Sequence, residues 1–451
     1  MSEVRIESMM DRERSVRRMY LSALGVVIAG PALLWLAVAP PGPLWHRLSV
    51  ISGLLALSAM VCAAILPSRL RSLNRAFGIE TVIEVHRFLG VSTAVLTLAH
   101  LACVVAADPA NVALLNVASA PARAVAAVSA TVALVALVVT SVLRRRLRLP
   151  YEVWRGIHVL LGAVVIVASA VHVWLLDHIV RTTVMQVAVV VLLALVAGVG
   201  VYRWVWRALL DPSTEFVVHE VRPESPSVST LVLEPRGGRH AGLDSWAFAP
   251  GQFAWIRLER TLTAEEHPFS IASSAHLGLT EFTVRHNGDF TRTLRSLPPG
   301  SPVWVDGPHG AFTSDIGSCE GLVMIAGGVG VTPMMSMLRT AADRGDRRPY
   351  RLVVVASAPD DLLFREELGF LQSTLDLVVT EVLRRPHEGW HGHTGDLGVS
   401  LMSVVLRTVP DPGDLDYFLC GPPALVDSAL DVLDVLDVAA TRIHTELFDF
   451  V

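Results

Sequence analysis

The chain contains no lysine: all 37 basic residues among its 451 are arginine. That absence excludes a phosphate-cradling P-loop lysine and a lysine Schiff base, and with them nucleotide hydrolysis of that type and pyridoxal phosphate chemistry. Cysteine is scarce. Cys62, Cys103, Cys319 and Cys420 lie far apart and form no CxxC. An iron–sulfur cluster needs clustered thiolates, so none is expected, nor is a disulfide framework. The net charge is −5, so no basic surplus attracts nucleic acid, and none is expected as a partner.

What the chain has in abundance is apolar sequence, 52% of all residues, and it crowds into the part before residue 210. Six runs stand out: Tyr20–Ala39, Leu48–Leu66, Thr81–Ala106, Ala124–Val142, Trp154–Leu176 and Val184–Trp206. Each is close to the ~20 residues that cross a hydrocarbon core as helix. The arginines orient them. Arg5, Arg12, Arg14, Arg17 and Arg18, then Arg69, Arg71 and Arg75, then Arg144, Arg145, Arg146, Arg148 and Arg155 fall in alternate inter-span segments, against only Arg47, Arg123 and Arg181 in the others. Thirteen against three puts the N-terminus in the cytoplasm. Six spans return the chain there, so both termini are expected on that side of the cell (plasma) membrane.

Four histidines interrupt the spans. His86 and His100 lie on the third, His158 and His172 on the fifth, and both pairs are 14 residues apart. Fourteen steps of ~100° fall within about 40° of whole turns, so each pair shares a helix face, with a rise of about 21 Å. The two spans run in the same direction, which pairs His86 with His158 near the cytoplasm and His100 with His172 near the far side. A single intramembrane histidine is more often a helix-bridging polar group. Two matched pairs at two depths suit two bis-histidine b-type haems. Arg87 and Arg155, beside the inner pair, are either propionate partners or plain cytoplasmic anchors.

From Glu215 the pattern becomes globular. Glu215–Val221, Ser229–Glu234 and Gln252–Glu259 alternate apolar and polar residues, as short antiparallel strands of a small β-barrel do. After Gly321 strands and helices alternate: Leu322–Ala326, a glycine turn and a helix from Pro333, Arg351–Ser357, a helix near Leu362–Phe370, Leu375–Leu383, then Leu415–Cys420 and a helix from Pro423. That is a doubly wound nucleotide-binding pattern. The fold class is therefore multidomain: a six-helix transmembrane bundle, an antiparallel β-barrel FAD domain and an α/β doubly wound NAD(P)-binding domain. The boundaries are 1–18 for a cytoplasmic segment, 19–210, 211–318 and 319–451.

Motifs sit where such domains need them. In His267-Pro268-Phe269-Ser270-Ile271-Ala272-Ser273-Ser274, the Ser270 hydroxyl suits a flavin N5, and Phe269 with nearby main chain suits its ring. Arg285 offers a bidentate fork to a pyrophosphate, and Gly288 and Thr291 beyond it can cradle one. Gly307-Pro308-His309-Gly310 is a tight turn between subdomains, weak by itself. Gly327, Gly328 and Gly330, followed by Thr332 and Pro333, link a strand to a helix and let a pyrophosphate approach the helix end, although the spacing is not GxGxxG. Cys420-Gly421-Pro422 ends a later strand, where nicotinamide would lie; a lone buried cysteine is otherwise core. Phe448 and Phe450 close the chain, as flavin covers or as packed strand residues.

The ordered series HPFSIASS, RHNGDFT, GPHG, AGGVGVTP and CGPP resembles the ferredoxin–NADP reductase fold. With His86/His100 and His158/His172 ahead of it, nearly the whole chain resembles the ferric reductase and NADPH oxidase superfamily. The resemblance implies FAD, NAD(P)H and two b haems, and a terminal phenylalanine stacked on the flavin ring. It favours NADPH; yet Ala356-Ser357-Ala358-Pro359-Asp360 has no arginine for a 2′-phosphate, which leaves NADH open. The implied activity is an NAD(P)H oxidase or ferric reductase: hydride passes to flavin near Ser270 and Cys420, then single electrons pass through the haems to oxygen or a ferric chelate outside. The alternatives are an electron-transfer subunit feeding a separate protein, and a six-span channel with a regulatory nucleotide domain. Membrane lipid surrounds the bundle, and a homo-oligomer is compatible with the sequence.

Overall fold

The computed structural model describes residues 2–144, 146–176, 179, 181–236, 246–262, 264–315, 319–385, 388–409 and 411–447. The chain divides into two compact units, one of residues 11–206 and one of residues 207–451 together with the first ten.

The first unit is helical, because a long aliphatic run can satisfy its main chain within a membrane only as helix. Its elements are α1 (Ser2–Val38), α2 (Leu44–Ile65), the short α3 (Arg71–Phe77), α4 (Ile79–Ala107), α5 (Ala122–Val142), α6 (Tyr151–Trp174) and α7 (Thr183–Gly200), which continues as a wider-pitched helix over Val201–Leu210. Six of the helices are long and apolar enough to cross a bilayer. Helix α1 runs without a break from the N-terminal residues into the first span. The most enclosed helix is α2, whose buried Ser49, Ala56, Ser58, Ala59 and Ala63 let neighbouring backbones come close. Around it, Leu57 and Val61 pack on Ala133 and Leu134 of α5, Val165 of α6 and Leu192 of α7. Large aliphatics such as Val95, Leu98, Val132, Leu160 and Val167 are exposed instead, as a lipid-facing surface requires.

The second unit carries two six-stranded sheets. The antiparallel one has β1 (Glu215–Ser225), β2 (Val228–Pro235), β3 (Phe253–Arg257), β4 (His267–Ser270), β5 (Thr280–Arg285) and β6 (Pro302–His309), in the order β4-β3-β6-β1-β2-β5, with α8 (Asp289–Arg295) after β5. The expected closed barrel is found as this open strand order. Its edges meet through a single bridge, Ile271 to Phe282, because β4 is four residues long and includes Pro268, which has no N–H for a ladder.

The parallel sheet has β7 (Leu322–Gly327), α9 (Val331–Arg344), β8 (Tyr350–Ala356), α10 (Arg365–Thr374), β9 (Leu377–Leu383), β10 (His393–Thr394), α11 (Val399–Leu406), β11 (Asp416–Gly421), α12 (Pro423–Val435) and β12 (Ile443–Leu447), in the order β10-β9-β8-β7-β11-β12. Every residue of β7, β8 and β11 is buried, as strands covered on both faces must be. One core lies under α9 and α10 and the other under α11 and α12. The helix expected from Leu362 begins at Arg365, since Phe364 takes a left-handed φ of 59°. Strand order reverses around β7, so the crevice for a dinucleotide opens at the carboxyl ends of β7 and β11.

Candidate functional site

The membrane unit brings the four histidines together in the expected pairs. The rings of His86 and His158 have centroids 6.0 Å apart, and those of His100 and His172 6.4 Å apart. Two imidazole–metal bonds on the order of 2 Å, with about 1 Å from each nitrogen to its ring centre, put bis-histidine centroids about 6 Å apart. Both pairs fit an iron between them.

Hydrogen bonds from neighbouring helices set the ring tautomers. His86 Nδ1 donates to the Ala63 carbonyl at 2.8 Å and His100 Nδ1 to the Ser49 carbonyl at 2.6 Å, both on α2. His172 Nδ1 donates to the Arg123 carbonyl at 2.8 Å, and His158 Nδ1 lies 3.1 Å from the Ser141 hydroxyl, both on α5. A carbonyl only accepts, so Nδ1 carries the hydrogen and the lone pair for a metal is on Nε2. Ala63 is available to His86 for a sequence reason: the residue four positions on, which would ordinarily donate to its carbonyl, is Pro67. His100 reaches Ser49 across Gly53, where an added Cβ would stand 2.9 Å from Nδ1.

In the second unit, β4 presents its motif against β3, with Ser270 opposite Phe253 and Phe269 opposite Ala254. His267 and Phe269 share a face and both meet the Phe290 ring, at 4.2 and 6.4 Å. Ser270 is buried and its hydroxyl has no partner among the described residues. A buried unpaired hydroxyl is costly unless a ligand satisfies it, so Ser270 fits a flavin ring. The Thr332 hydroxyl, in the first turn of α9, is likewise buried and without a partner among the described residues, which suits a dinucleotide phosphate.

Ser273, Thr291 and Arg285 have partners within the protein. The Ser273 hydroxyl accepts from the Glu281 N–H at 3.1 Å and its carbonyl from Ser336 at 2.8 Å. The Thr291 hydroxyl accepts from the Asn287 and Gly288 amides, both at 3.0 Å, and so shapes its own turn. Arg285 stands at the nucleotide turn: it pairs with Asp361 at 2.8 Å, and a Cβ on Gly328 would lie 3.2 Å from its Nη2.

The ends of β7 and β11 close into one seam. A Cβ at Gly330 would meet the Cys420 carbonyl oxygen at 2.3 Å, and one at Gly327 would meet Pro422 at 2.9 Å. A side chain at Gly330 would therefore force the seam apart, and Gly421 abuts Gly327 there as well. Burial pushes the Cys420 thiol well above its ordinary pKa, and the Glu446 carboxylate adds to that, so Cys420 is an uncharged thiol rather than an acid or nucleophile. Gly307 precedes a cis Pro308, and a Cβ at Gly310 would lie 3.9 Å from Glu446 Oε1, which brings the ends of β6 and β12 together. Phe448 and Phe450 lie outside the described residues. The sequence reading missed Glu446, Asp361, Gly53 and the four acceptors behind the histidines. Of these, Gly53, a glycine inside an apolar span, and the Ala63 acceptor, with Pro67 four residues beyond it, leave a mark in the sequence.

Three stretches match known families: residues 52–169 the ferric reductase like transmembrane component, residues 236–312 an FAD-binding domain, and residues 324–431 an oxidoreductase NAD-binding domain. Ferredoxin–NADP reductase B of Sorangium cellulosum is 30% identical over 239 residues, covering 51% of this chain and 95% of that protein. The chain belongs to the ferric reductase/NADPH oxidase superfamily. This ferric reductase-type chain is also 29% identical to the propane 2-monooxygenase reductase component of Rhodococcus jostii, over 51% of itself and 62% of that protein. It is 29% identical to NADH-cytochrome b5 reductase 1 of Aspergillus fumigatus, over 40% of itself and 60% of that protein. It therefore spans less than two thirds of the length of those two relatives. It is an oxidoreductase with FAD- and NAD(P)-binding domains joined to a multi-pass membrane domain.

Proposed function

We propose that this protein takes hydride from cytoplasmic NAD(P)H and moves single electrons across the membrane to an external small-molecule acceptor, oxygen or a ferric chelate. The observation that carries the reading is the pair of histidine sites 14 residues apart on α4 and α6, each with ring centroids 6.0 or 6.4 Å apart. When bound, FAD supplies conversion of a two-electron hydride into single electrons, and two haems supply stepwise one-electron relay. The chain supplies the geometry. Ser270 offers its unpaired hydroxyl to the flavin edge. Thr332 and Arg285 hold dinucleotide phosphate, and Cys420 fills the seam beside the nicotinamide as a neutral thiol. His86 and His158 hold one iron, His100 and His172 the other. Two histidines assigned to each iron would leave the acceptor no position on it, so these residues would suit electron transfer without coordination of the acceptor.

The carboxylates at the end of β8 bear on the choice of nucleotide. Asp360 and Asp361 follow the strand, where an acidic residue favours a ribose diol and a cation a 2′-phosphate. That placement favours NADH over the NADPH that family resemblance alone suggests.

The test is a reduced-minus-oxidised spectrum of the purified protein with its His100→Ala variant. The unsubstituted protein should give a two-haem Soret signature on adding NADH. The variant should lose one haem and stop reducing the acceptor, while flavin reduction continues. Full haem content in the variant would refute the assignment.

A further inference from the structure

Of the four partners behind the paired histidines, three are main-chain carbonyls and one is a side chain: the Ser141 hydroxyl of α5, 3.1 Å from His158 Nδ1. Ser141 also stands 2.7 Å from the Leu137 carbonyl. That carbonyl can only accept, so it takes the single hydroxyl hydrogen in the shorter contact. Toward His158 the oxygen is therefore an acceptor, and the ring carries its hydrogen on Nδ1 like the other three. A hydroxyl oxygen is a weaker acceptor than a peptide carbonyl. An imidazole whose N–H is held by a stronger acceptor is a more basic ligand, and a more basic ligand favours ferric over ferrous iron.

We propose that Ser141 is a positioning residue that fixes the His158 tautomer and sets the reduction potential of the inner site, at His86 and His158, independently of the outer one. This rests on the haem reading. A main-chain carbonyl cannot be exchanged by substitution, whereas Ser141 is a direct hydrogen-bond partner of His158 that a single side-chain change replaces. The inner and outer sites thus differ in kind. The outer has two carbonyl-backed rings, Ser49 behind His100 and Arg123 behind His172. The inner has one carbonyl-backed ring, His86 on Ala63, and one hydroxyl-backed ring. The step it would govern is the passage of one electron from reduced flavin to a ferric iron held by His86 and His158, the flavin being oxidised by one electron and no bond to the protein made or broken.

The experiment is a spectroelectrochemical titration of the full-length purified protein and three variants. Ser141→Ala leaves the Nδ1–H without its acceptor, so one of the two haem waves should move to higher potential while the other stays. Ser141→Asn offers an amide carbonyl, so the same wave should move to lower potential. Ser141→Thr keeps the hydroxyl and should restore the original value. A purely structural role would not give opposite shifts from Ala and Asn. Two low-spin haems whose waves stay fixed in both variants, or move together, would overturn the proposal. If Ser141→Ala loses haem, Asn and Thr still decide it by the same criterion. Absence of two low-spin haems from the unsubstituted protein would overturn the haem reading, and this proposal with it.

Discussion

Gly53 shows how little separates a histidine that can bind from one that cannot. An added Cβ there would fall 2.9 Å from His100 Nδ1, closer than real Cβ atoms come, and a tight 3.1 Å from its Cε1. Helix α2 cannot yield easily, because it is the most enclosed of the bundle. The ring must therefore move and give up the Ser49 carbonyl. Gly53→Val is expected to cost about 1–3 kcal/mol of overpacking and to remove the haem proposed for the His100 site while sparing the one proposed for the other; the haem-to-protein ratio by pyridine haemochrome reads this directly. Arg285 makes a second residue-level case. Its guanidinium lies beside Gly328 and pairs with Asp361, and we propose that it serves the nicotinamide dinucleotide more than the flavin. A charge-assisted hydrogen bond contributes about 1.5–3 kcal/mol, so Arg285→Ala should raise the KM for NADH on the order of ten- to a hundredfold. FAD content should be unchanged; loss of FAD at unchanged KM would return Arg285 to the flavin pyrophosphate.

Among the elements, the membrane unit works as two pairs: α2 holds the rings of α4, and α5 holds those of α6. The histidine ladder was legible in the sequence because helical periodicity converts a spacing of 14 into a shared face. Its partners were not, since a main-chain carbonyl carries no side-chain signature. Proline at 67 is the exception: it withholds an N–H from Ala63, and a reader could have found it. In the soluble unit the strands and helices were legible from alternation and glycine turns, with ends displaced by a few residues. Barrel closure was not, because it depends on how two edges meet. The place of Arg285 was not legible either, because its partner Asp361 lies 76 residues away.

The two sheets of that unit are joined by Arg339 of α9. It donates to the Ala272 carbonyl and Glu281 Oε2, both at 2.8 Å, and grips Glu367 of α10 at 2.6 and 2.7 Å. Removing one partner of a buried ion pair strands the rest. With Glu367 partly exposed, Arg339→Ala should cost about 1.5–3 kcal/mol, read as a lower unfolding midpoint of the flavin-containing protein. A change within about 0.5 kcal/mol would show that the two sheets hold together without it.

For the whole molecule, the decisive quantity is sidedness. Thirteen arginines fall in one set of inter-span segments and three in the other, and an even number of spans returns the chain to the side where it began. Arginine is retained on the cytoplasmic side during insertion, so the nucleotide domain should face the cytoplasm and the His100/His172 site the exterior. Sealed vesicles of both orientations separate the cases, because NADH does not cross lipid. Inside-out vesicles with a ferric chelate trapped in the lumen should reduce it when NADH is added to the bulk. Right-side-out vesicles given the same NADH should stay inactive until opened with detergent. The His172→Ala variant in inside-out vesicles should still bleach its flavin with NADH, yet leave the trapped chelate ferric. This places the interruption beyond the flavin and before the exterior. If right-side-out vesicles oxidise added NADH while intact, the arginine orientation is inverted; if inside-out vesicles reduce only an acceptor in the bulk, electrons leave on the side where they enter and do not cross the membrane.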